Sequence, residues 1–506
     1  MSASTYTVAP VGYDGQLVKV ECDVVKGLPT LQLVGLAARS VDEAKERVRS
    51  AIRNSHLDFA SSKATVNLSP ANLPKDGSHY DLPIAIAILA ETGQIRADID
   101  DVIFAGELGL DGSLRTIRGA IAIAECAKRE GKKAVILPTT NANQASLVPG
   151  ISVLPAQTLT DVFLHLCGEK NIYPFTPDYQ GSTDSVKKTS IDISDIRGQD
   201  HAKRALLIAA AGHHNILFDG PPGAGKTMLA KALVGILPGL SQEEIVAITK
   251  LHNLGGEADD HIIYDRPFRS PHHTSSFVSL VGGGNKPVPG EISLAHLGVL
   301  FLDEIPEYPR ASLEALRQPL EDRVIHVSRA NGKVSYPANF MLVATKNPCP
   351  CGYYGDPTKE CSCTMMQLLS YQKRLSGPLM DRVDMVVPVT RASEKDFLVA
   401  NQQQLQPVSP SWRSAVEAAR KRQTDRYRKT MTNAELDSRQ IAALANLSSS
   451  AEALLQQASR NLNLSARGYF KIIRVARTIA DLGNENDILT PHIAEALQYR
   501  GEAAKL

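Results

Sequence analysis

Two hydrophobic periods alternate along the first third of the chain. Apolar-rich runs with alternating polar residues predict strands at LVKVECDVV (17–25), KATVNLS (63–69), VIFAGEL (102–108) and KAVILP (133–138). Between them, apolar residues recur every three or four positions and predict helices, as in SVDEAKERVRSAIRNS at 40–55. This order of elements predicts one α/β domain over residues 1–170.

The run LPIAIAILA at 82–90 has no polar position. A membrane-spanning helix needs roughly 20 apolar residues, so this run is too short to cross a bilayer. It therefore predicts a helix that is buried on every side.

The pattern changes twice further along the chain. Residues 171–192, NIYPFTPDYQGSTDSVKKTSID, are rich in Pro, Ser, Thr and Asp without a hydrophobic period, so they predict a linker. Strand and helix patterns alternate again over 193–390, whereas 391–506 has helical spacing without a clear strand. The sequence predicts an α/β multidomain protein with a helical C-terminal domain.

Composition adds a location. The chain has 506 residues, a formal net charge of +1 and seven cysteines, so any nucleic-acid surface must be local. The start MSASTYTVAP lacks the basic and apolar segments of a secretory signal. Cys22, Cys126 and Cys167 are scattered, as is typical of reduced thiols. We expect a cytoplasmic protein without a membrane partner.

The strongest chemical pattern is NILFDGPPGAGKTMLAKAL, where an apolar strand runs into a glycine-rich loop and then into a helix. This arrangement predicts a phosphate-binding loop for ATP. Lys226 would reach the β- and γ-phosphates, and the hydroxyl of Thr227 would hold Mg²⁺. The residues expected to contact the nucleotide are Gly220, Pro221, Pro222, Gly223, Ala224, Gly225, Lys226, Thr227 and Met228.

A second acidic motif follows about 75 residues later. In GVLFLDEIPE, four apolar residues end in Asp303 and Glu304. A buried strand would deliver Asp303 to the Mg²⁺ ion and Glu304 to the water that attacks the γ-phosphate.

The pair GPPGAGKT and LFLDE resembles the AAA+ ATPases. The blocks RPFRSPHHTSS, GEISLAHLGVLFLDE, NPCPCGYYGD, SGPLMDRVD and LSARGYFKIIRVARTIADL narrow the resemblance to the magnesium-chelatase-like branch, and within it to the ComM/YifB family. This resemblance implies an AAA+ core with inserts and a helical lid. It further implies a hexameric, ATP-driven DNA helicase that performs branch migration in homologous recombination during natural transformation. The implied partners are single-stranded and branched DNA, further copies of the chain and recombination proteins.

The resemblance also assigns roles to three residues. Asn347, after the predicted strand FMLVAT, corresponds to the polar sensor beside the γ-phosphate. Arg382 in GPLMDRVD resembles an arginine finger presented to the neighbouring subunit, and Arg467 in LSAR resembles the second sensor of the lid. Either arginine alternatively forms an ordinary surface ion pair.

The first domain resembles the Lon protease domain, a ribosomal S5 domain 2-like fold, in the blocks LSPANLPKDGSHYDLPIAIAILA and AGELGLDGSLRTIRGAIAIAECA. Lon uses a serine and lysine dyad. Asp81 stands near the matched serine position and Ile121 at the matched lysine position, while a dyad of Ser78 and Lys75 would need another alignment. The resemblance implies a non-proteolytic domain that binds DNA or organises the ring.

Two insertions are candidates for DNA contacts. In RVIHVSRANGKVSYPANF at 323–340, Asn331-Gly332 between alternating runs predicts a hairpin. In the resembled family such loops line a central pore, where Arg329 and Lys333 would suit contacts with DNA phosphates. In the segment at 251–292, His272 and His273 are either metal ligands or loop histidines that bond the backbone.

Four of the seven cysteines, Cys349, Cys351, Cys361 and Cys363, lie in the pattern C-x-C-x9-C-x-C. Four thiolates satisfy a closed tetrahedral zinc site, so we expect one structural Zn²⁺. Free thiols and redox chemistry are the alternatives. A disulfide pair is disfavoured in the cytoplasm.

Two other functions compete with a DNA motor. A chelatase-type AAA+ ATPase would remodel a partner during metal insertion into a porphyrin, but the chelatase motor subunit lacks a Lon-like domain. An ATP-dependent protease is opposed by Asp81 and Ile121 at the dyad positions.

Overall fold

The computed structural model describes residues 3–28, 30–35, 43–59, 63–73, 75–176, 191–256, 261–284, 287–329, 332–356, 359–391 and 407–501. The chain forms two compact units. The first comprises residues 1–185, 241–264 and 328–336, and the second comprises 186–240, 265–327 and 337–506. The sequence predicts contiguous domains, whereas the first unit takes in two segments from the middle of the ATPase region. Most of the predicted linker, 177–190, lies outside the described residues.

A seven-stranded mixed sheet forms the first unit, in the order β3-β4-β2-β1-β5-β8-β9. The strands of this part of the chain, including the small ribbon β6–β7, are β1 (Ala3–Val11), β2 (Asp14–Val25), β3 (Thr30–Val34), β4 (Lys63–Ser69), β5 (Val102–Phe104), β6 (Glu107–Leu108), β7 (Leu114–Arg115), β8 (Ala134–Pro138) and β9 (Ser152–Ala156). β1 pairs with β2 in antiparallel fashion, with Tyr6 opposite Lys19. β5, β8 and β9 continue the sheet in parallel. The predicted α/β class is confirmed.

Helices cover this sheet. Their bounds are Ala44–Asn54, Asp81–Glu91, Ala120–Arg129, Ala142–Ala145, Leu159–Leu166 and Gln242–Gly255, with 3₁₀ turns at Ser78–Tyr80 and Thr139–Asn141. Helix Asp81–Glu91 packs on β1 and β2, and its residues 81–89 are all buried, which confirms the prediction from its apolar run. Burial on every side explains why this helix has no polar face.

The insert helix, Gln242–Gly255, belongs to the first unit although it follows the ATPase motif in sequence. Ser241 and Glu244 form a capping box at its start, which satisfies backbone N–H groups of the first turn. Val246 joins the hydrophobic cluster that contains Ile121 and Ile123 of the first unit. Apolar burial therefore holds the insert helix against helix Ala120–Arg129.

The second unit is built on a parallel sheet in the order β11-β14-β17-β10-β18. The remaining strands of the chain are β10 (Ile216–Asp219), β11 (Phe268–Arg269), β12 (Gly282–Gly283), β13 (Val288–Pro289), β14 (Val299–Leu302), β15 (Val324–Arg329), β16 (Gly332–Pro337), β17 (Met341–Lys346) and β18 (Met385–Pro388). β12–β13 and β15–β16 form separate ribbons. Since the carboxyl ends of parallel strands meet at one edge, the loops after β10, β14 and β17 are brought together there.

The helices of the second unit's core are Asp200–Gly212, Lys226–Ile236, Phe277–Val281, Glu291–Leu294, Arg310–Ala315, Arg317–Asp322, Met365–Gln372 and Gly377–Met380, with 3₁₀ turns at Ile193–Asp195 and Ile305–Glu307. The C-terminal region adds Ser409–Tyr427, Ser438–Leu444, Ser449–Asn461, Ala466–Leu482 and Thr490–Gln498, with a 3₁₀ turn at Asn433–Glu435. Over the described residues 407–501, an isolated bridge between Leu447 and Ile488 is the only β pairing, so the predicted helical C-terminal region is confirmed. In the ranges that the structure covers, no helix is both long and apolar enough to cross a membrane.

Candidate active site

The phosphate-loop sequence forms the predicted strand, loop and helix. β10 runs into loop 220–225, and the next helix begins at Lys226. Gly223 and Gly225 adopt φ angles of 78° and 86°, which L side chains rarely tolerate. The glycines therefore allow the tight loop that exposes backbone N–H groups and the helix N-terminus to an anion. This loop has the features that a nucleoside triphosphate requires.

Lys226 is held by oxygen atoms around this loop. Its Nζ donates to the carbonyl oxygen of Gly220, to that of Pro221 at 3.1 Å and to Oδ1 of Asn347 at 2.9 Å. The side chain is only 8% exposed, and this burial lowers the pKa of Lys226 although three nearby carboxylates oppose the change. The predicted sensor Asn347 and the predicted phosphate-binding lysine therefore touch directly.

The residues predicted to bind Mg²⁺ also meet. Oγ1 of Thr227 lies 3.4 Å from Oδ2 of Asp303. Neighbouring oxygen ligands of octahedral Mg²⁺ lie about 3 Å apart, because the metal–oxygen distance is near 2.1 Å. The second carboxylate oxygen of Asp303 accepts a hydrogen bond of 2.6 Å from Thr345 Oγ1. Two hard oxygens at this spacing, one of them anionic, fit a magnesium ion.

Glu304 has a backbone conformation that is unusual for its type. Its φ is 50°, in the left-handed region, and its N–H donates to Thr345 Oγ1 at 2.9 Å. Asn347 Nδ2 donates to Oε1 of Glu304 at 3.1 Å. The strained backbone is thus fixed by a buried threonine, and the carboxylate is aimed toward the sensor side chain.

The two predicted arginines come together elsewhere in the second unit. Arg382 forms an ion pair with Glu321 and donates to the carbonyl oxygen of Pro378 at 2.7 Å. Arg467 is more exposed and lies 3.7 Å from Glu321 and 3.8 Å from Asp381. Both arginines line a cavity of about 540 Å³. Within the described residues, no hydrogen bond or ion pair joins either arginine to the phosphate loop.

The four cysteine sulfurs form one cluster. Cys349 Sγ lies 3.3 Å from Cys351 Sγ and 3.7 Å from Cys361 Sγ, and Cys351 and Cys361 are 3.5 Å apart. All four sulfurs, including that of Cys363, lie within 4.8 Å of one another. A tetrahedral zinc site with Zn–S bonds of 2.3 Å places its sulfurs about 3.8 Å apart, whereas a disulfide needs about 2.05 Å. The cluster has the geometry of a zinc site and of no disulfide.

Backbone donors surround these thiols. The N–H of Tyr353 stabilises the Cys351 thiolate and helps lower its pKa to about 6. For Cys361, backbone N–H donation is outweighed by burial and by the neighbouring sulfurs, which raise the pKa to about 12. Crowded thiolates of this kind are relieved by a cation.

The Lon-like positions hold no printed serine–lysine pair. Burial raises the pKa of Asp81 to about 6, against the effect of its bidentate bonds of 2.7 and 3.0 Å from Arg47. Ile121 is 1% exposed in the hydrophobic core. The position matched to the dyad serine therefore carries a buried ion pair, and the position matched to the lysine carries a core residue.

The alternative dyad residues have other partners. Lys75 is fully buried, and its Nζ donates to the carbonyl oxygen of Pro70. Ser78 Oγ donates to Glu107. In the described part of the chain, no hydrogen bond joins Ser78 to Lys75.

The predicted hairpin forms as the ribbon β15–β16. Asn331 and the side chains of Arg329 and Lys333 lie outside the described residues. His272 Nδ1 bonds Thr274 Oγ1 at 2.8 Å, and its ring lies 4.1 Å from that of His273. Among described residues, the four cysteines are the one group of three or more potential ligands close enough to hold a metal.

Comparison with known proteins places this site in a family. Over 501 residues the chain is 44% identical to Competence protein ComM of Haemophilus influenzae, covering 98% of this chain and 97% of that protein. It is 43% identical to YifB of Escherichia coli over 500 residues, covering 98% and 96%. The chain belongs to the ComM/YifB family.

Three family models locate the parts of this ComM/YifB chain. Residues 192–397 match the model described as magnesium chelatase, subunit ChlI, residues 20–141 match subunit ChlI of Mg-chelatase, and residues 407–500 match the ChlI C-terminal model. The magnesium-chelatase 67 kDa subunit of Chlorobaculum parvum is 27% identical over 162 residues, covering 31% of this chain and 23% of that protein. The AAA+ fold is thereby established, and it implies ATP and Mg²⁺ as cofactors.

Sequence reasoning missed three residues of this ComM/YifB site. Thr345 holds both Asp303 and the backbone of Glu304, Glu321 joins the two arginines, and the Tyr371 hydroxyl accepts the backbone N–H of Asn347. Thr345 follows the predicted strand FMLVA, where its approach to Asp303 could have been inferred from the parallel sheet. Glu321 and Tyr371 carry no motif that would have revealed them.

Proposed function

We propose that this protein is a hexameric, ATP-dependent DNA helicase that drives branch migration in homologous recombination during natural transformation. The observation that carries the proposal is the likeness to Competence protein ComM over 98% of the chain. Its substrates are single-stranded and branched DNA, and recombination proteins are its partners in the cytoplasm.

ATP hydrolysis supplies the energy. Lys226 and the loop amides bind the phosphates, and Thr227 and Asp303 would hold Mg²⁺, which neutralises phosphate charge when bound. Glu304 orients the attacking water, and Asn347, in contact with Glu304 and Lys226, senses the γ-phosphate. Each role uses an atom that the structure directs into the same small region.

The ring supplies the remaining charges. Arg382 and Arg467 share Glu321 and have no described bond to their own phosphate loop, which supports action on a neighbouring subunit's nucleotide. Charge spreads over three oxygens of the γ-phosphate during transfer, so fixed guanidinium groups stabilise the transition state. Six subunits arranged head to tail would complete six such sites.

The hairpin β15–β16 is the proposed DNA contact. Arg329 ends β15 and Lys333 follows the start of β16. Contacts between such cations and phosphates are independent of base sequence, as a translocating motor requires.

The proposed zinc ion is structural. The sulfur spacing of Cys349, Cys351 and Cys361 fits four-coordinate Zn²⁺, and four protein ligands leave no open position for catalysis. Elemental analysis of protein purified without chelators should give about one zinc per chain. Replacing both Cys349 and Cys361 by serine should remove it, and a zinc-free wild-type protein would refute the site.

DNA-stimulated ATP hydrolysis tests the motor directly. We expect single-stranded DNA to raise the ATPase rate, and we expect labelled three-strand branched DNA to be resolved only with hydrolysable ATP. Glu304→Gln is the matched control, because it keeps the shape of the site but not its carboxylate. Arg329→Ala with Lys333→Ala should reduce the DNA stimulation and leave the basal rate. An ATPase indifferent to DNA that leaves branched substrates intact would exclude the proposal.

A chelatase-type ATPase that remodels a partner during metal insertion is the second candidate. It is favoured by the magnesium chelatase models matched over three parts of the chain. Stimulation of ATP hydrolysis by a porphyrin-binding partner, with no response to DNA, would support it over the motor.

A further inference from the structure

The cysteine cluster lies in a segment whose two ends both return to the nucleotide site. Asn347 begins this segment, two residues before Cys349, and contacts both Lys226 at 2.9 Å and Glu304 at 3.1 Å. Helix Met365–Gln372 closes it, beginning two residues after Cys363. We call residues 347–372 the cysteine segment.

Gly352 gives this segment a direct contact with the phosphate loop. Its φ is 84°, and a Cβ placed there would lie 2.6 Å from Cδ and 2.7 Å from Cγ of Pro222. Its N–H donates to the carbonyl oxygen of Cys349 at 3.0 Å. Only glycine therefore fits between the cysteines and Pro222 without moving one of them.

Tyr371 gives the segment a second contact at its far end. The side chain is 5% exposed, and its hydroxyl accepts the backbone N–H of Asn347. The helix that carries it starts with a capping box between Thr364 and Gln367, which fixes its first turn close to Cys363. The end of the segment is thus tied to its own beginning, at the sensor residue.

We propose that the metal-bound cysteine cluster positions the ATP site, through Gly352 against Pro222 and Tyr371 against Asn347. The inference rests on the proposed ATP and zinc sites. A loop with four cysteines and few apolar residues cannot build a core, so metal ligation determines its shape. The metal fixes the loop, the loop supports the phosphate loop at Gly352, and Tyr371 holds the sensor backbone. Gly352 and Tyr371 are positioning residues.

Two conservative substitutions in the full-length protein separate the two contacts. Tyr371→Phe removes only the hydroxyl, so kcat should fall about five- to tenfold with little change in KM for ATP. Its control is Tyr354→Phe, which alters an exposed tyrosine of the same segment. Gly352→Ala should raise KM for ATP and weaken binding of a fluorescent ATP analogue.

The control for Gly352→Ala is Gly355→Ala. Gly355 has a similar φ of 79° and nothing within 4 Å of the position of a Cβ. Both variants carry the same backbone strain, but only the first presses on Pro222. Zinc content near one per chain in all four variants would show that the cluster itself is intact.

Metal removal gives the third measurement. Chelation of the wild-type protein should lower both kcat and the affinity for the ATP analogue, and added Zn²⁺ should restore both. Unchanged kinetics and nucleotide binding in Tyr371→Phe, Gly352→Ala and the chelated protein would overturn the inference while leaving the zinc and ATP sites standing. Absence of zinc would overturn it together with the metal site. Absence of DNA stimulation would affect only the proposed motor.

Discussion

Lys226 is the residue on which the nucleotide site converges. Its Nζ is bound by two loop carbonyl oxygens and by Asn347 Oδ1. These oxygens occupy the donor of the lysine in the way that phosphate oxygens would. Burial keeps the charge effective, since an ammonium group in a dry site interacts strongly with an anion.

Two substitutions distinguish binding from hydrolysis. Lys226→Ala should abolish binding of a fluorescent ATP analogue, because the phosphates lose their cation. Glu304→Gln should bind ATP normally but hydrolyse it about 100-fold more slowly or worse, since the attacking water loses its orienting carboxylate. Phosphate release measures the rate. Normal turnover by Glu304→Gln would contradict the assignment of Glu304.

His296 makes the second unit sensitive to acid. Its Nδ1 accepts the backbone N–H of Asn339 at 3.0 Å, and burial lowers its pKa to about 4. In the unfolded chain a histidine takes up a proton near pH 6.5. Between pH 6.5 and pH 4 the unfolded state therefore binds a proton that the folded state refuses, and stability is lost as the pH falls.

The histidine's share of this loss can be measured. From pH 7 to pH 5, His296 should account for about 2 kcal/mol of unfolding free energy. His296→Gln should lose correspondingly less over the same interval, whatever its stability at pH 7. The fluorescence of the single tryptophan, Trp412, reports urea unfolding of the second unit, against whose core it packs. Equal pH dependence in the two proteins would show that His296 is protonated in the fold.

At the scale of elements, local signals were sufficient where one motif determines one element. Strand KATVNLS and the phosphate loop could be predicted because alternation and glycine spacing act within a few residues. The insert helix Gln242–Gly255 could not be assigned to its unit, because its partners lie more than 90 residues away in sequence. Glu321 was missed for the same reason, since it acquires its role only when Arg382 and Arg467 fold onto it.

Lys250 holds the insert helix in place. Its side chain is 5% exposed, and its Nζ lies 2.5 Å from Glu125, 3.5 Å from Asp14 and 3.9 Å from the centre of the Tyr13 ring. Lys250→Met keeps the apolar stem and removes the charge. It should destabilise the docked helix by about 1–2 kcal/mol, because an ion pair and a cation–π contact are lost together.

Hydrogen exchange of residues 242–255 measures this effect. A loss of that size corresponds to amide exchange about 5- to 30-fold faster in the insert helix. Glu243→Ala, at an exposed position in the first turn of the same helix, is the matched control and should change exchange little. Equal exchange in Lys250→Met and the wild type would mean that apolar packing alone holds the helix.

At the scale of the whole molecule, the proposed ring divides one catalytic site between two chains. Lys226 lies at the phosphate loop, whereas Arg382 is bound to Glu321 with its Nε buried and without a hydrogen-bond partner. A buried guanidinium with an unused donor is costly unless a further acceptor completes it. A nucleotide phosphate of the adjacent chain would supply that acceptor.

Mixing two inactive variants tests this division. Arg382→Ala and Lys226→Ala should each form rings without a competent interface. When equal amounts co-assemble at random, about one quarter of the interfaces combine an intact Lys226 with an intact Arg382 from the next chain. The ATPase rate should then recover to about one quarter of the wild-type value if sites act independently, as measured by phosphate release. Adding Glu304→Gln to the Arg382→Ala chain should abolish the recovery, because the restored interfaces then lack the water-orienting carboxylate. No recovery in rings whose mixed composition has been verified would place Arg382 in the site of its own chain.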